Sequence, residues 1–75
     1  MDRRTLEQYL AMTEEHIQGG RERLSRQAEI VARIKANGRD SRLAQDLLEQ
    51  FRSSLEGFIT DRQLILAFLE LKKPE

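Results

Sequence analysis

The chain has 75 residues, of which 39% are hydrophobic and 35% charged, and its formal net charge is zero. This length allows one small domain with a marginal core of its own. Zero net charge argues against a chain-wide attraction to nucleic acid or anionic lipid. The absence of cysteine excludes disulfides and thiolate metal sites.

The first ten residues, MDRRTLEQYL, contain no apolar stretch typical of a signal peptide. The longest nearly apolar run, LILAFLEL from Leu64, is far shorter than the ~20 residues that cross a bilayer. We therefore expect a cytoplasmic protein without a membrane partner.

The first helix is predicted over about residues 3–37. Its apolar and small residues recur at alternating steps of four and three, which is the seam of a heptad repeat. The seam comprises Leu6, Leu10, Thr13, Ile17, Gly20, Leu24, Gln27, Val31 and Ile34, and Tyr9 and Ile30 widen it. Gly19 and Gly20 each cost up to ~1 kcal/mol relative to alanine inside a helix. We expect the helix to run through them; a kink or break giving three shorter helices is the alternative.

A turn is predicted at residues 38–41. Asn37-Gly38 is a typical helix stop, with Gly38 suited to the left-handed position after the last turn. Asp40 and Ser41 are both suitable N-caps for the next helix. Such a short loop makes the two helices antiparallel neighbours.

The second helix is predicted over about residues 42–72 and shows the same stepping. Its seam comprises Ala44, Leu48, Phe51, Leu55, Phe58, Arg62, Ile65 and Leu69. The sequence therefore predicts an all-α fold, with two long antiparallel helices forming a helical hairpin in one domain over residues 1–75.

Small residues of the first helix are predicted to face large residues of the second. A turn centred near Gly38–Arg39 gives facing residues an index sum near 78, which pairs Gly20 with Phe58, Gln27 with Phe51, and Thr13 with Ile65. We expect Gly20 to make room for the Phe58 ring. The residues predicted to pack the hairpin are Gly20, Phe58, Gln27, Phe51, Leu24 and Leu55.

The end of the second helix, QLILAFLELKK, carries more apolar residues than one neighbouring helix can cover. Leu64, Leu66, Phe68 and Leu71 are therefore predicted to form an interface. We expect a homodimer in which two hairpins form an antiparallel four-helix bundle. The alternatives are that this end caps a monomeric hairpin or that it binds a different protein.

The sequence offers no candidate catalytic, metal or cofactor site. His16 is the only histidine and lacks companion ligands at helical spacing. We expect it to be half-buried near Arg62 or Asp61, with at most a structural Asp61 contact. The segment GGRER follows a helix and lacks the P-loop residues, and no nucleophile motif is present. We therefore expect no enzyme activity, cofactor or small-molecule ligand.

Residues 21–42 hold seven basic and three acidic side chains, so the loop end of the hairpin is mildly positive. A Rop-like RNA- or DNA-binding helical dimer that uses Arg33, Lys35, Arg39 and Arg42 is the alternative function. The aromatic residues argue against it, because Phe51 and Phe58 lie on the seam and Tyr9 and Phe68 beside it, leaving none to stack on bases. A solvated charged face is the preferred interpretation.

Three segments carry a resemblance to a known group: HIQGGRERLSRQAEIV, NGRDS at the turn, and LLEQFRSSL in the second helix. Over about residues 9–65 the chain resembles a group of small proteobacterial helical-hairpin proteins without an assigned function. The resemblance implies a bacterial, cytoplasmic hairpin and supplies no catalytic residues. The function expected from the residues is a non-enzymatic protein-interaction or scaffold module that acts as a homodimer.

Overall fold

The computed structural model describes residues 2–72, which form two α-helices joined by a short loop. Helix α1 spans Arg3–Ala36 and helix α2 spans Arg42–Leu71. Together they make a rod of 61 × 15 × 14 Å. The predicted helical hairpin is confirmed, and the helices end one residue before the predicted limits, with Asn37 and Lys72 as their C-caps.

Helix α1 begins at a side-chain cap and continues through the two glycines. The Thr5 N–H donates to Asp2 Oδ1 at 2.8 Å, and this bond lowers the pKa of Asp2 below its ordinary value. The stabilisation from this carboxylate is therefore present above its unfolded-state pKa and is lost as the pH falls through the folded value. Since one helix spans Arg3–Ala36, the alternative of a break at Gly19-Gly20 is wrong.

A Schellman motif ends α1. The Gly38 N–H donates to the Lys35 carbonyl at 3.0 Å and the Arg39 N–H to the Ile34 carbonyl at 3.1 Å. Gly38 has φ +69°, the left-handed conformation expected of it. These bonds satisfy carbonyls that the end of the helix would otherwise leave without partners.

Asp40 and Ser41 share the start of α2. Ser41 is the N-cap residue, but its hydroxyl accepts from Gln45 Nε2 at 2.7 Å and caps no backbone N–H. The Asp40 carboxylate instead accepts the Arg42 N–H at 3.0 Å and binds the Arg42 guanidinium, whose Nη2 lies 2.6 Å from Oδ2. The guanidinium lowers the pKa of Asp40, and the carboxylate raises the pKa of Arg42.

The predicted seam is confirmed at every position of both helices. In α1 the seam residues are buried or half-buried from Leu6 to Ile34, and in α2 they are so from Ala44 to Leu69. Gly20, Gln27 and Leu55 are among the buried ones. The heptad spacing therefore identifies which stripe of each helix faces the other.

The predicted pairing across the seam is wrong by about one helical turn. A Cβ built on Gly20 would lie 3.2 Å from Leu55 Cδ1, so Gly20 faces Leu55 and not Phe58. Gln27 is buried, and its Nε2 donates to the Ala44 carbonyl at 2.9 Å instead of facing Phe51. The predicted pair of Thr13 with Ile65 depends on the same incorrect register.

Two physical reasons account for the shift. Ser41 is buried and the Arg39 N–H donates to the Ile34 carbonyl, so the loop turns back onto the last turn of α1 and α2 begins about one turn short of the level at which α1 ends. The buried Gln27 amide also needs an acceptor, and a phenylalanine ring opposite it would supply none. Ala44 is small enough to leave its backbone carbonyl within reach.

We predict that Gly38→Ala lowers the free energy of unfolding by about 1–2 kcal/mol, because a Cβ is strained in the left-handed region. Gly38→Asn is the control, since asparagine tolerates this conformation and should cost less. Denaturant unfolding at one fixed protein concentration measures both. Equal stability of the alanine variant and the parent would contradict the role of Gly38 in the turn.

We predict that Gly20→Leu lowers the free energy of unfolding by about 1–2 kcal/mol, since overpacking against Leu55 outweighs the better helix propensity. Ser25→Leu is the matched control on the exposed outer surface of the same helix and should be nearly neutral. Thermal unfolding followed by circular dichroism compares them. The close approach of the helices is refuted if both variants are equally stable.

Candidate interaction surface

The two sides of the hairpin that flank the seam differ in chemistry. On one of them Glu14 Oε1 lies 3.4 Å from Arg62 Nε, which makes an ion pair between the two helices. A largely polar groove surrounds this pair, lined by Glu14, Ile17, Gln18, Arg21, Ile59 and Arg62. We call this the polar side. Leu66 lies on it, because it follows Ile59 by seven residues along α2.

The opposite side carries most of the exposed large hydrophobic residues. They recur at spacings of seven or multiples of it within each helix, as in the series Leu43, Leu64 and Leu71 and the pair Leu47 and Phe68. We call this the apolar side. Its exposed members are Tyr9, Met12, Ile30, Leu43, Leu47, Leu64, Phe68 and Leu71.

The termini of the hairpin form an open groove on the apolar side. It has a volume of about 460 Å³ and an almost wholly apolar lining. Leu6 and Ile65 from the seam form its floor, and Tyr9, Leu64 and Phe68 form its walls, with Lys72 at the end. The groove and the leucines beside it make an apolar surface at the terminal end of the rod, which is typical of a protein interface.

In the middle of the apolar side, two phenylalanine rings of α2 are each contacted by a polar side chain of α1. The His16 ring lies 4.9 Å from the Phe58 ring, measured between centroids, and the Arg23 guanidinium lies 5.7 Å from the Phe51 centroid. The expectation that His16 is half-buried is wrong: the side chain is exposed, and its ring packs at a tilt of 36° against the Phe58 ring. The register shift explains the error, since it brings Phe58 level with His16.

The four residues predicted as an interface do not lie on one surface. Leu64, Phe68 and Leu71 are on the apolar side, where Leu71 is 80% exposed. Leu66, which is 38% exposed, is on the polar side. The six predicted packing residues all lie along the seam: Gly20, Gln27 and Leu55 are buried, and Leu24, Phe51 and Phe58 are half-buried.

Sequence reasoning missed the part of the apolar side near the loop. Leu43 is 74% exposed and Leu47 is 36% exposed, and Ile30 of α1 is exposed near them. The signal was in the sequence, because Leu47 precedes Phe68 by three heptads and Leu43 precedes Leu64 by three heptads. The local run of leucines predicted an interface only at the end of α2.

The basic residues near the loop do not converge on one face. Arg42 is paired with Asp40. Arg33, Lys35 and Arg39 are exposed, but Arg33 and Lys35 occupy heptad positions on opposite sides of the hairpin. The expectation that no aromatic ring is free to stack is also wrong, since Tyr9 and Phe68 are exposed; they lie at the other end of the rod.

Two searches over residues 2–72 concern other kinds of site. No group of three or more histidine, aspartate or glutamate side chains in this range could hold a metal ion. Neither helix, over the same range, is long and apolar enough to span a membrane.

Compared with family models, curated proteins and solved structures, the chain matches none of them. The resemblance to small proteobacterial hairpins therefore stays a prediction.

Proposed function

We propose that the protein is a non-enzymatic interaction module that acts as a homodimer, in which two hairpins pack into a four-helix bundle. The observation that carries this proposal is the apolar side, which runs along both helices with no element of residues 2–72 covering it. A second hairpin supplies two further helices, and covering this surface gives a bundle core of the usual kind.

The burial of the single hairpin supports the proposal. No large side chain among the described residues is completely buried. The chain exposes 5987 Å², whereas a compact monomer of 8.8 kDa exposes about 4,800 Å². The excess exceeds the ~800 Å² that each partner buries in an ordinary stable complex. The single hairpin therefore exposes enough surface beyond that of a compact monomer to form a dimer interface of ordinary size.

A dimer that covers its apolar sides presents the two polar sides to solvent. Those surfaces carry the Glu14–Arg62 pair and the charged outer faces of the helices. A rigid rod with charged outer surfaces suits a scaffold that holds other proteins at a fixed separation. Nucleic-acid binding has less support, because the basic residues near the loop are spread over opposite sides of the rod.

We predict that the protein has a solution mass near twice 8.8 kDa at micromolar concentration. Phe68→Glu should weaken the dimer at least about 100-fold, because a two-fold dimer loses the burial of this ring twice. Light scattering over a concentration series, with circular dichroism to verify that the helices persist, measures the effect.

Leu66→Glu is the matched control, since it introduces the same charge two residues away on the polar side. It should leave the dimer almost unchanged. A monomeric parent at every concentration would overturn the proposed function. Equal dissociation by both variants would show that the apolar side is not the interface.

A further inference from the structure

We propose that the second copy packs on the apolar side in an antiparallel orientation, with the loop end of each hairpin against the terminal end of the other. This inference rests on the proposed homodimer and goes beyond it by assigning the contact surface along the whole rod and the direction of the two-fold axis. Three independent features of the described residues support it.

The first feature is that six of the eight exposed hydrophobic residues of the apolar side are placed symmetrically about the middle of their helix, Met12 and Leu64 being the exceptions. In α1, Tyr9 and Ile30 lie about ten residues to either side of Gly19. In α2, Leu47 and Phe68 lie about ten residues to either side of Gly57. Ten residues correspond to about 15 Å along a helix. An antiparallel two-fold contact needs this symmetry, because each helix then meets its own copy running the other way.

The second feature is that the centres of symmetry of the two helices lie at the same level. The observed contacts of Gly20 with Leu55 and of Glu14 with Arg62 bracket a level along the rod at which Gly19 and Gly57 both lie. A Cβ built on either of these two glycines would meet nothing within 4 Å. A single two-fold axis can therefore cross both helices at this level, where the two glycines leave no side chain on the surface.

With the axis at that level, the apolar clusters meet. Tyr9 and Ile30 of one copy come to the level of Ile30 and Tyr9 of the other, and the same holds for Leu47 with Phe68. Leu43 and Leu71 are each 14 residues from Gly57 and match in the same way. Ile30 and Leu47 near the loop thus come to the level of the terminal groove of the second copy, and Leu43 comes to the level of Leu71 beside it.

The third feature is charge, which distinguishes the antiparallel arrangement from a parallel one. Residues 2–20 hold four acidic and two basic side chains, whereas residues 21–36 hold two acidic and five basic ones. Reversing the second copy brings the more acidic half of each α1 to the level of the more basic half of the other α1. A parallel arrangement brings the two positive loop ends together, which is unfavourable.

The charges in the middle of the apolar side agree with this choice. Arg23 lies four residues from Gly19 towards the loop, and Asp61 lies four residues from Gly57 towards the termini. In the antiparallel dimer Arg23 reaches the level of the second copy's Asp61, which lies on α2 beside the facing α1, where His16 is at about the same level. In the parallel arrangement Arg23 lies at the level of Ser54 on the facing α2, and this serine carries no charge.

The experiment uses two measurements on the full chain. The absence of cysteine allows one spin label to be attached through Ala36→Cys, at the exposed last residue of α1. In the antiparallel dimer the two labels are about 50 Å apart, because each is about 25 Å from the axis. In the parallel dimer they are within about 25 Å, since neighbouring helices are only 8–10 Å apart.

The second measurement tests the surface near the loop. Leu47→Glu on the apolar side should weaken the dimer at least about tenfold. Leu66→Glu on the polar side is its control, because the parent side chains are almost equally exposed, at 36% and 38%. Sedimentation equilibrium gives both dissociation constants.

Each outcome decides between the proposals. A label distance near 50 Å together with selective weakening by Leu47→Glu supports the antiparallel contact. A dimer with labels within about 25 Å overturns the orientation and leaves the homodimer standing. A dimer that Leu47→Glu does not weaken overturns the surface. A monomer with no coupling between labels overturns the homodimer and, with it, this inference.

Discussion

The hydrogen bond from the buried Gln27 amide to the Ala44 carbonyl is the constraint on which the rest of the hairpin depends. A buried amide without an acceptor would be costly, so this bond selects one register among those that the heptad pattern allows. The register in turn sets Gly20 against Leu55 and His16 against Phe58. It also brings Gly19 level with Gly57, so that the centres of symmetry of the two helices lie at one level along the rod.

A hairpin of two helices has only one seam in which to bury side chains, and the remaining apolar residues must lie on its flanks. Here they are not distributed evenly. The polar side holds the Glu14–Arg62 pair, whereas the opposite side holds nearly all the exposed leucine and aromatic residues. An uneven distribution of this kind is what distinguishes a surface for a partner from ordinary exposure of single hydrophobic residues.

Periodicity and turn chemistry predicted much of this fold. Alternating steps of four and three identified the buried stripe of both helices, because burial of one stripe depends only on residues within a helix. Gly38 was identified from its conformational freedom, which is also a local property. The register could not be predicted in the same way. When one helix slides by about one turn along the other, each seam residue faces the next seam residue of the partner helix, and the same stripe remains buried. Gly20 can face Leu55 or Phe58 without any change in the heptad pattern.

The candidate surface was predicted only in part, for a related reason. The leucines near the end of α2 are consecutive, so they stand out in the sequence, but consecutive residues point in different directions around a helix. Leu66 consequently lies apart from Leu64 and Phe68. Leu43 and Leu47 are distant in sequence from that cluster, and only spacing by sevens connects them to it.

The same hydrogen bond and turn have a kinetic consequence. Gln27 and Ala44 are separated by 17 residues, whereas Arg3 reaches the Leu69 carbonyl across 66 residues. Contacts near the loop therefore close the shorter chain segment and cost the least entropy. The Schellman turn and the Gln27–Ala44 hydrogen bond are suited to form first. The helices can then pair progressively from the loop towards their termini. Opening should proceed in the reverse direction, so that the terminal groove exchanges its amide hydrogens before the loop end does.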